Sequence, residues 1–198
     1  MRPWLDLIER SLIVLIVAAT SACSALSSPP RDQFYRLGLD TMSDTVRVAG
    51  GDVVVVTPFS ASGLHGERAL IYAHADNTAL EQYSYHFWID SPRLLLQQAL
   101  MARLAQGREI QVVPSAVREA NYTVRGRIVR FERSATNAAV AELDLEITGG
   151  GSATPLFTRR YQQTIELSDE AVAASASGPA QATATISEKF ADDYDAAT

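Results

Sequence analysis

The chain has 198 residues, of which 47% are hydrophobic and 20% are charged, and its formal net charge is -6. This composition indicates one globular domain with a short extension, and it excludes a chain that is disordered over most of its length. The mildly acidic balance, without a long run of like charges, argues against a nucleic-acid-binding or polybasic membrane surface. A single cysteine, Cys23, excludes an internal disulfide.

The first 22 residues have the pattern of a bacterial lipoprotein signal peptide. Two arginines, Arg2 and Arg10, precede the apolar run Leu12 to Ala19, which is far shorter than the roughly 20 residues of a membrane-spanning helix. Asp6 and Glu9 dilute the positive charge that such segments usually carry at their start. We predict that residues 1–22 are removed.

Cys23 follows directly after the small residues Ala19-Thr20-Ser21-Ala22, an order that resembles a bacterial lipobox. From this resemblance we predict that Cys23 is lipidated and becomes the mature N-terminus. Stable anchoring requires more than one acyl chain, and a lipidated cysteine would supply them. The alternative is an incidental thiol beside an ordinary signal-peptidase site. By resemblance to lipoprotein sorting rules, Ser24 in place of aspartate favours the outer membrane.

Residues 23–33 form the lipidated N-terminus and a tether rich in serine and proline, with Pro29 and Pro30 adjacent. The stretch 24–32 would reach roughly 28 Å at about 3.1 Å per residue. The folded domain is predicted over residues 34–198.

The first half of this domain reads as strands and one helix. Phe34 to Leu39 alternates as a short strand, and the β-branched run Asp52 to Phe59 indicates a central strand that is buried on both faces. Two further strand-like runs flank the turn residues Asp76-Asn77 and predict a hairpin. A helix follows, with Ser91 as N-cap, Pro92 in its first turn, a leucine stripe and a closing glycine: Leu96, Leu100, Leu104 and Gly107.

After a short strand, Ile110 to Val113, three long antiparallel strands are predicted at Tyr122 to Arg133, Ala138 to Thr148 and Leu156 to Ile165. The middle strand alternates apolar and acidic residues. The first changes phase near Ile128, and a one-residue bulge would reconcile the two phases.

The bulge would align three arginines with three carboxylates across the first two long strands. The predicted pairs are Arg130 with Glu142, Arg127 with Asp144, and Arg125 with Glu146. This row is either a docking surface for a partner or, as we prefer, a solvated sheet face with cross-strand pairs worth roughly 0.2 to 1 kcal/mol each.

The C-terminal region is weakly specified from about residue 168. Ser168 can cap a short helix, Gly178-Pro179 would break it, and a second helix carries Ile186, Phe190 and Tyr194 on one face. The predicted fold is therefore α/β in the broad sense, more strictly α+β: a mixed, largely antiparallel sheet with helices packed on one face.

Motifs of catalysis and of nucleotide binding are missing from the sequence. It has no G-x-S-x-G, no G-x-x-x-x-G-K-[ST], no H-E-x-x-H and no G-x-G-x-x-G. The histidines His65, His74 and His86 have no cysteine nearby and only scattered carboxylates, which does not favour a metal site. We predict neither a catalytic residue nor a cofactor.

Taken together, these segments resemble the ABC-type transport auxiliary lipoprotein family of the PqiC or YmbA type. The resemblance rests on the lipobox, "FYRLG", "VVVVTPF", "GERALIYAHADNTALEQYSYHFWIDSPRLLLQQAL" and "YTVRGRIVRFER". It matches the family's tyrosine to Tyr72, its asparagine to Asn77 and its tryptophan to Trp88. The interrupted C-terminal helix departs from the family pattern.

The resemblance implies a non-catalytic partner of an MCE-domain protein and an ABC permease and ATPase that move phospholipids or other hydrophobic compounds between membranes. It implies an anchored protein on the periplasmic face of the outer membrane, and a homo-oligomeric ring is one arrangement. Alternatives are a lipoprotein that assists lipopolysaccharide or outer-membrane assembly, and an anchored hydrolase with a nonstandard site.

Four residues outside the anchor are singled out. Tyr72, Asn77 and Tyr83 form the candidate partner-binding surface, because tyrosines supply contact area with a polar handle. Packing within the hairpin explains them nearly as well. Trp88 is predicted to be a structural anchor in the core rather than a stacking platform.

Overall fold

A computed structural model describes residues 30–38, 51–76, 78–114 and 120–198. The predicted signal peptide, Cys23 and Asn77 lie outside the described residues. The strands are β1 Gln33–Tyr35, β2 Asp52–Val56, β3 Ser60–Ala61, β4 Ala69–Ala73, β5 Leu80–Trp88, β6 Ile110–Val113, β7 Tyr122–Arg133, β8 Ala138–Gly149 and β9 Pro155–Glu166. The α-helices are α1 Pro92–Ala105 and α2 Ala174–Ala197, and a short 3-10 helix spans Gly63–Gly66.

The three long strands form an antiparallel meander in the order β7, β8, β9. The register between β7 and β8 shifts between Ile128 and Arg130, which confirms the predicted bulge. Apolar residues of β8 alternate with its acidic ones, as predicted, and five of them are at most 2% exposed: Ala139, Ala141, Leu143, Leu145 and Ile147. Four of them, Ala141, Leu143, Leu145 and Ile147, join the core that contains buried side chains of both helices.

The other edge of β7 meets three strands in turn along its length. β2 runs parallel to its first residues, β3 to its middle, and β4 meets it at Arg133. β6 flanks β2. β2 therefore lies between two strands, and Val54, Val55 and Val56 are at most 1% exposed, which confirms the predicted buried strand. It ends at Val56, not at Phe59.

The sheet is extended past β4 by two more strands. β4 and β5 pair antiparallel, as predicted for the hairpin, and β1 pairs parallel with β5. The prediction that β1 extends from Phe34 to Leu39 was wrong within the described residues, because the strand ends at Tyr35. Gly38 then adopts a φ of +68°, which is not an extended conformation.

Helix α1 begins at Pro92 as predicted, and its leucines Leu96, Leu100 and Leu104 are at most 2% exposed. The Ser91 hydroxyl makes no capping hydrogen bond; its backbone carbonyl accepts from the amides of Leu94 and Leu95 instead, each at 3.0 Å.

The sequence prediction for the C-terminal region was wrong about the cap and about the break. α2 is a single helix that begins after Ala173, so Ser168 caps no helix and Gly178-Pro179 breaks none. Pro179 lies in the second turn, where it removes one backbone hydrogen bond. A Cβ on Gly178 would lie 2.5 Å from Ala139 Cβ, so glycine lets the helix cross β8 closely. The predicted stripe of Ile186, Phe190 and Tyr194 is confirmed as buried.

Candidate functional site

Strand β5 contains a wide bulge opposite the middle of β4. Ala69 and Ile71 lie two apart in β4 but pair with Phe87 and Gln82, which lie five apart in β5. β5 therefore accommodates three more residues than β4 does, and we name Tyr83–His86 the β5 bulge. Bulges re-aim side chains and are common next to functional sites.

Tyr85 lies in this bulge in a strained conformation. Its φ is +64°, and its side chain is 42% exposed. A non-glycine residue in this region costs on the order of 1–3 kcal/mol, and such residues cluster at sites of binding. The packing of the surrounding strands must therefore offset the cost of this backbone conformation.

Four rings pack together beside Tyr85, and we name them the aromatic cluster: Tyr35, Tyr72, Tyr83 and His86. The centroid of the Tyr83 ring lies 4.5 Å from that of Tyr72 and 6.2 Å from that of His86. Tyr35 stacks on His86 at 5.8 Å, and its hydroxyl hydrogen-bonds His86 Nδ1 at 2.8 Å. Strands β1, β4 and β5 thus all contribute to one surface.

The structure brings together two of the three predicted partner-binding residues. Tyr72 and Tyr83 are neighbours and half-buried. The Tyr72 hydroxyl donates to Glu81, and this hydrogen bond raises the pKa of Tyr72. The Tyr83 hydroxyl accepts from Ser175 at 3.4 Å, at the start of α2. Each of these tyrosines therefore packs partly against other side chains and is partly exposed to solvent. Their role in partner binding stays a prediction.

Trp88 lies at the end of β5 and is 2% exposed. Its ring packs against Phe131 with centroids 5.4 Å apart, and its amide donates to the Arg68 carbonyl at 2.6 Å. This location is compatible with the predicted structural anchor.

Three surface residues were missed by the sequence reasoning: Tyr35, Tyr85 and His86. For Tyr85 and His86 a signal was available, because the run "QYSYHFW" places aromatic residues on both phases of one strand. A comparable change of phase within one strand predicted the bulge in β7.

The predicted row of charges is present on the face of the meander. Arg125 bonds Glu146 at 3.2 Å, and Arg127 bonds Asp144 at 2.5 Å. Arg160 of β9 joins the same row by bonding Asp144 at 2.6 Å. These hydrogen bonds, that from Arg160 above all, lower the pKa of Asp144.

Two further contacts complete this charged row. Arg160 also bonds Glu142 at 3.2 Å, whereas Arg130, aligned with Glu142 in the register as predicted, directs its guanidinium to Glu132 at 2.6 Å. The arginines and carboxylates of the row bond each other, which favours the solvated-face interpretation over a docking surface.

His65 lies beside Glu132, with Nε2 3.6 Å from the carboxylate. Burial lowers the pKa of His65, and its Nδ1 has no hydrogen-bond partner. Within residues 30–38, 51–76, 78–114 and 120–198, no group of three His, Cys, Asp or Glu side chains could hold a metal ion.

A groove of about 680 Å³ lies between α1 and α2 and adjoins the aromatic cluster at Tyr35. Small side chains line much of it, among them Ala99 and Ala180.

In the part of the chain that the structure describes, no helix is long and apolar enough to cross a membrane.

Comparison with known families gives a match over most of the domain. Residues 35–191 match the family described as the ABC-type transport auxiliary lipoprotein component. The chain belongs to this family. Membership places it among the lipoprotein components of ABC-type transport and confirms the resemblance noted in the sequence. No curated protein matches the chain in sequence.

Solved structures that are similar to this chain are distant from it in sequence. Protein XCC0632 from Xanthomonas campestris, of the family DUF330, is 15% identical with a TM-score of 0.70, covering 84% of this chain and 99% of that one. A second crystal structure, of an uncharacterized protein, is 14% identical with a TM-score of 0.70, covering 83% and 99%. The PelC dodecamer from Paraburkholderia phytofirmans is 13% identical with a TM-score of 0.43, covering 74% and 91%.

Proposed function

We propose that this lipoprotein is the non-catalytic, outer-membrane-anchored auxiliary subunit of an MCE-type ABC transport system that moves phospholipids or other hydrophobic compounds between membranes. Family membership over residues 35–191 supports the transport role. The lipobox at Cys23 supports the anchor, and Ser24 supports the outer membrane. The contribution of such a subunit is binding, with the energy supplied by the ATPase of the system.

The strained Tyr85 is the observation on which the partner-binding role rests. A side chain that is 42% exposed at a φ of +64° contributes little to the core, yet the fold bears the cost of its conformation. Tyrosine is enriched at interfaces because its ring supplies apolar area and its hydroxyl a hydrogen bond. We therefore extend the candidate surface of Tyr72, Asn77 and Tyr83 to include Tyr85.

Crosslinking in cell envelopes tests this proposal. A photoreactive phenylalanine analogue at Tyr85 should capture the MCE-domain protein, whereas the same analogue at Leu156 on β9, which is 49% exposed, should not. Capture of lipopolysaccharide-assembly proteins without an MCE partner would contradict the transport role and favour the alternative function.

Replacing Tyr85 by glycine separates binding from stability. Glycine adopts positive φ without strain, so Tyr85→Gly should leave the free energy of unfolding unchanged or raise it by about 1 kcal/mol. Binding to the periplasmic part of the MCE protein should weaken. Unchanged binding would remove Tyr85 from the interface.

The anchor has its own test. Cys23→Ala should abolish lipoprotein-type processing and membrane association, because no acylated cysteine remains. Mass spectrometry of the mature N-terminus checks the original chain. An unmodified cysteine, or cleavage at another position, would contradict the lipid anchor.

A further inference from the structure

An exposed apolar patch lies where edge strand β1 meets the end of β5. Phe34 is 55% exposed and Ile89 is 45% exposed. The Phe34 ring lies 5.9 Å from that of Phe87, and the Arg68 guanidinium lies 5.6 Å from the Phe34 centroid. We name Phe34, Arg68, Phe87 and Ile89 the β1 patch.

Hydrogen bonds to backbone carbonyls hold this patch in place. The Arg68 guanidinium donates to the carbonyls of Trp88 and Ile89, at 3.2 and 3.0 Å, and the Ile89 amide donates to the Tyr35 carbonyl at 2.8 Å. The patch is therefore a preformed surface, and contact with a partner would cost little ordering of the backbone.

The chemistry of the β1 patch suits the interface of a bilayer. Aromatic and aliphatic side chains enter the boundary between headgroups and acyl chains, and an arginine beside them reaches the phosphates. Net charge contributes little to attraction between the patch and a bilayer, because arginines and carboxylates both lie close to the patch residues in sequence. These are Arg31, Arg36 and Arg68 against Asp32, Glu67 and Asp90. Attraction must therefore come from apolar contact.

Chain length keeps the patch near the predicted anchor. Phe34 follows Cys23 by 11 positions, and it is the first of the large exposed hydrophobic residues in the described part of the chain. A link of this length spans at most about 40 Å when fully extended. At the 3.1 Å per residue of a proline-rich tether, it spans about 34 Å. Both distances are comparable to the size of the folded domain, residues 34–198, for which a radius of gyration of about 15 Å is expected.

We propose that the β1 patch contacts the bilayer to which the chain is anchored. This inference rests on the proposed lipid anchor at Cys23. Phe34 and Ile89 enter the headgroup boundary, and Arg68 stays at the level of the phosphates. The contact orients the anchored domain, because a fixed edge of the sheet then lies against the membrane.

Tryptophan reporters in the lipidated full chain test this contact. The variants are Phe34→Trp and Ile89→Trp, and the matched control is Leu156→Trp, since Leu156 is 49% exposed on β9. Each is reconstituted into vesicles of phosphatidylethanolamine and phosphatidylglycerol that contain phosphatidylcholine brominated near the headgroup. Quenching of tryptophan fluorescence reports contact with the acyl region, and the native Trp88 contributes the same background to all three.

We expect both patch reporters to be quenched about twofold more than the control, since interfacial side chains lie about 5–10 Å below the headgroups. The quenching should persist at high salt, because apolar contact is not screened. Equal quenching of the three reporters would overturn the proposal.

Two other outcomes are distinguishable from that one. In one, the patch reporters are not quenched, but their tryptophan emission changes with the number of chains per vesicle. This result would assign the β1 patch to contact with a second copy of the chain and would overturn the bilayer contact. A chain that does not sediment with the vesicles would overturn the anchor, and with it both the proposed function and this inference.

Discussion

Gly126 lies in β7 directly beneath the ring of Phe59, and this contact yields a quantitative prediction. A Cβ at position 126 would lie 2.6 Å from three atoms of the ring. Carbon atoms normally approach to about 3.5–4.0 Å, so the ring would have to move by roughly 1 Å. Phe59 is 2% exposed and packed in the core, which leaves it little room. We expect Gly126→Ala to lower the free energy of unfolding by about 1–3 kcal/mol.

Urea denaturation measures this loss, with the midpoint and slope fitted together. The matched control is Gly149→Ala in β8, where an added Cβ meets no atom within 4 Å and where we expect a change within about 0.5 kcal/mol. A smaller side chain at position 59 should relieve the clash, so Phe59→Leu and Gly126→Ala should couple by about 1 kcal/mol or more in a double-mutant cycle. A Gly126→Ala variant as stable as the original chain, or strict additivity of the pair, would refute the packing argument.

Two further predictions concern Trp88 and Asp144. Trp88→Ala should destabilise the domain by about 3–5 kcal/mol, because it empties a site packed against Phe131; normal melting with lost partner binding would place Trp88 at the interface instead. Arginine hydrogen bonds lower the pKa of Asp144 in the folded chain, so its contribution is present above the unfolded pKa and is lost as the pH falls through the lowered value. Asp144→Asn should therefore reduce the acid-induced loss of stability, by about 1 kcal/mol or less. Asp32→Asn, at an exposed carboxylate, is the control, and equal acid profiles for the two variants would contradict this reasoning.

Local pattern was sufficient for much of the fold. The alternation in β8 defined its buried face, and the change of phase near Ile128 defined the bulge and the register of three charge pairs. These features depend on the period of two in a strand, which is written in consecutive residues. Proline after Ser91 and the leucine spacing likewise predicted α1.

The same local rules failed where a distant contact outweighs them. Gly178-Pro179 reads as a helix break, yet α2 continues, because Gly178 lies against Ala139 and the packing of Phe190 and Tyr194 offsets one lost hydrogen bond. The predicted extension of β1 failed because its partner strand β5 ends at Trp88, directly opposite Tyr35.

The sequence by itself determined the strand and helix periods and the family to which the chain is similar, and it predicts the anchor at Cys23. These depend on residues close together in the chain. Tertiary structure alone decided that Tyr35, Tyr72 and His86 share one surface, that Tyr85 is held at positive φ, and that Phe34 and Ile89 form one exposed patch. Each of these depends on how β1, β4 and β5 pair. Strand pairing joins residues that are far apart in the chain, so it is determined by the packing of the whole domain.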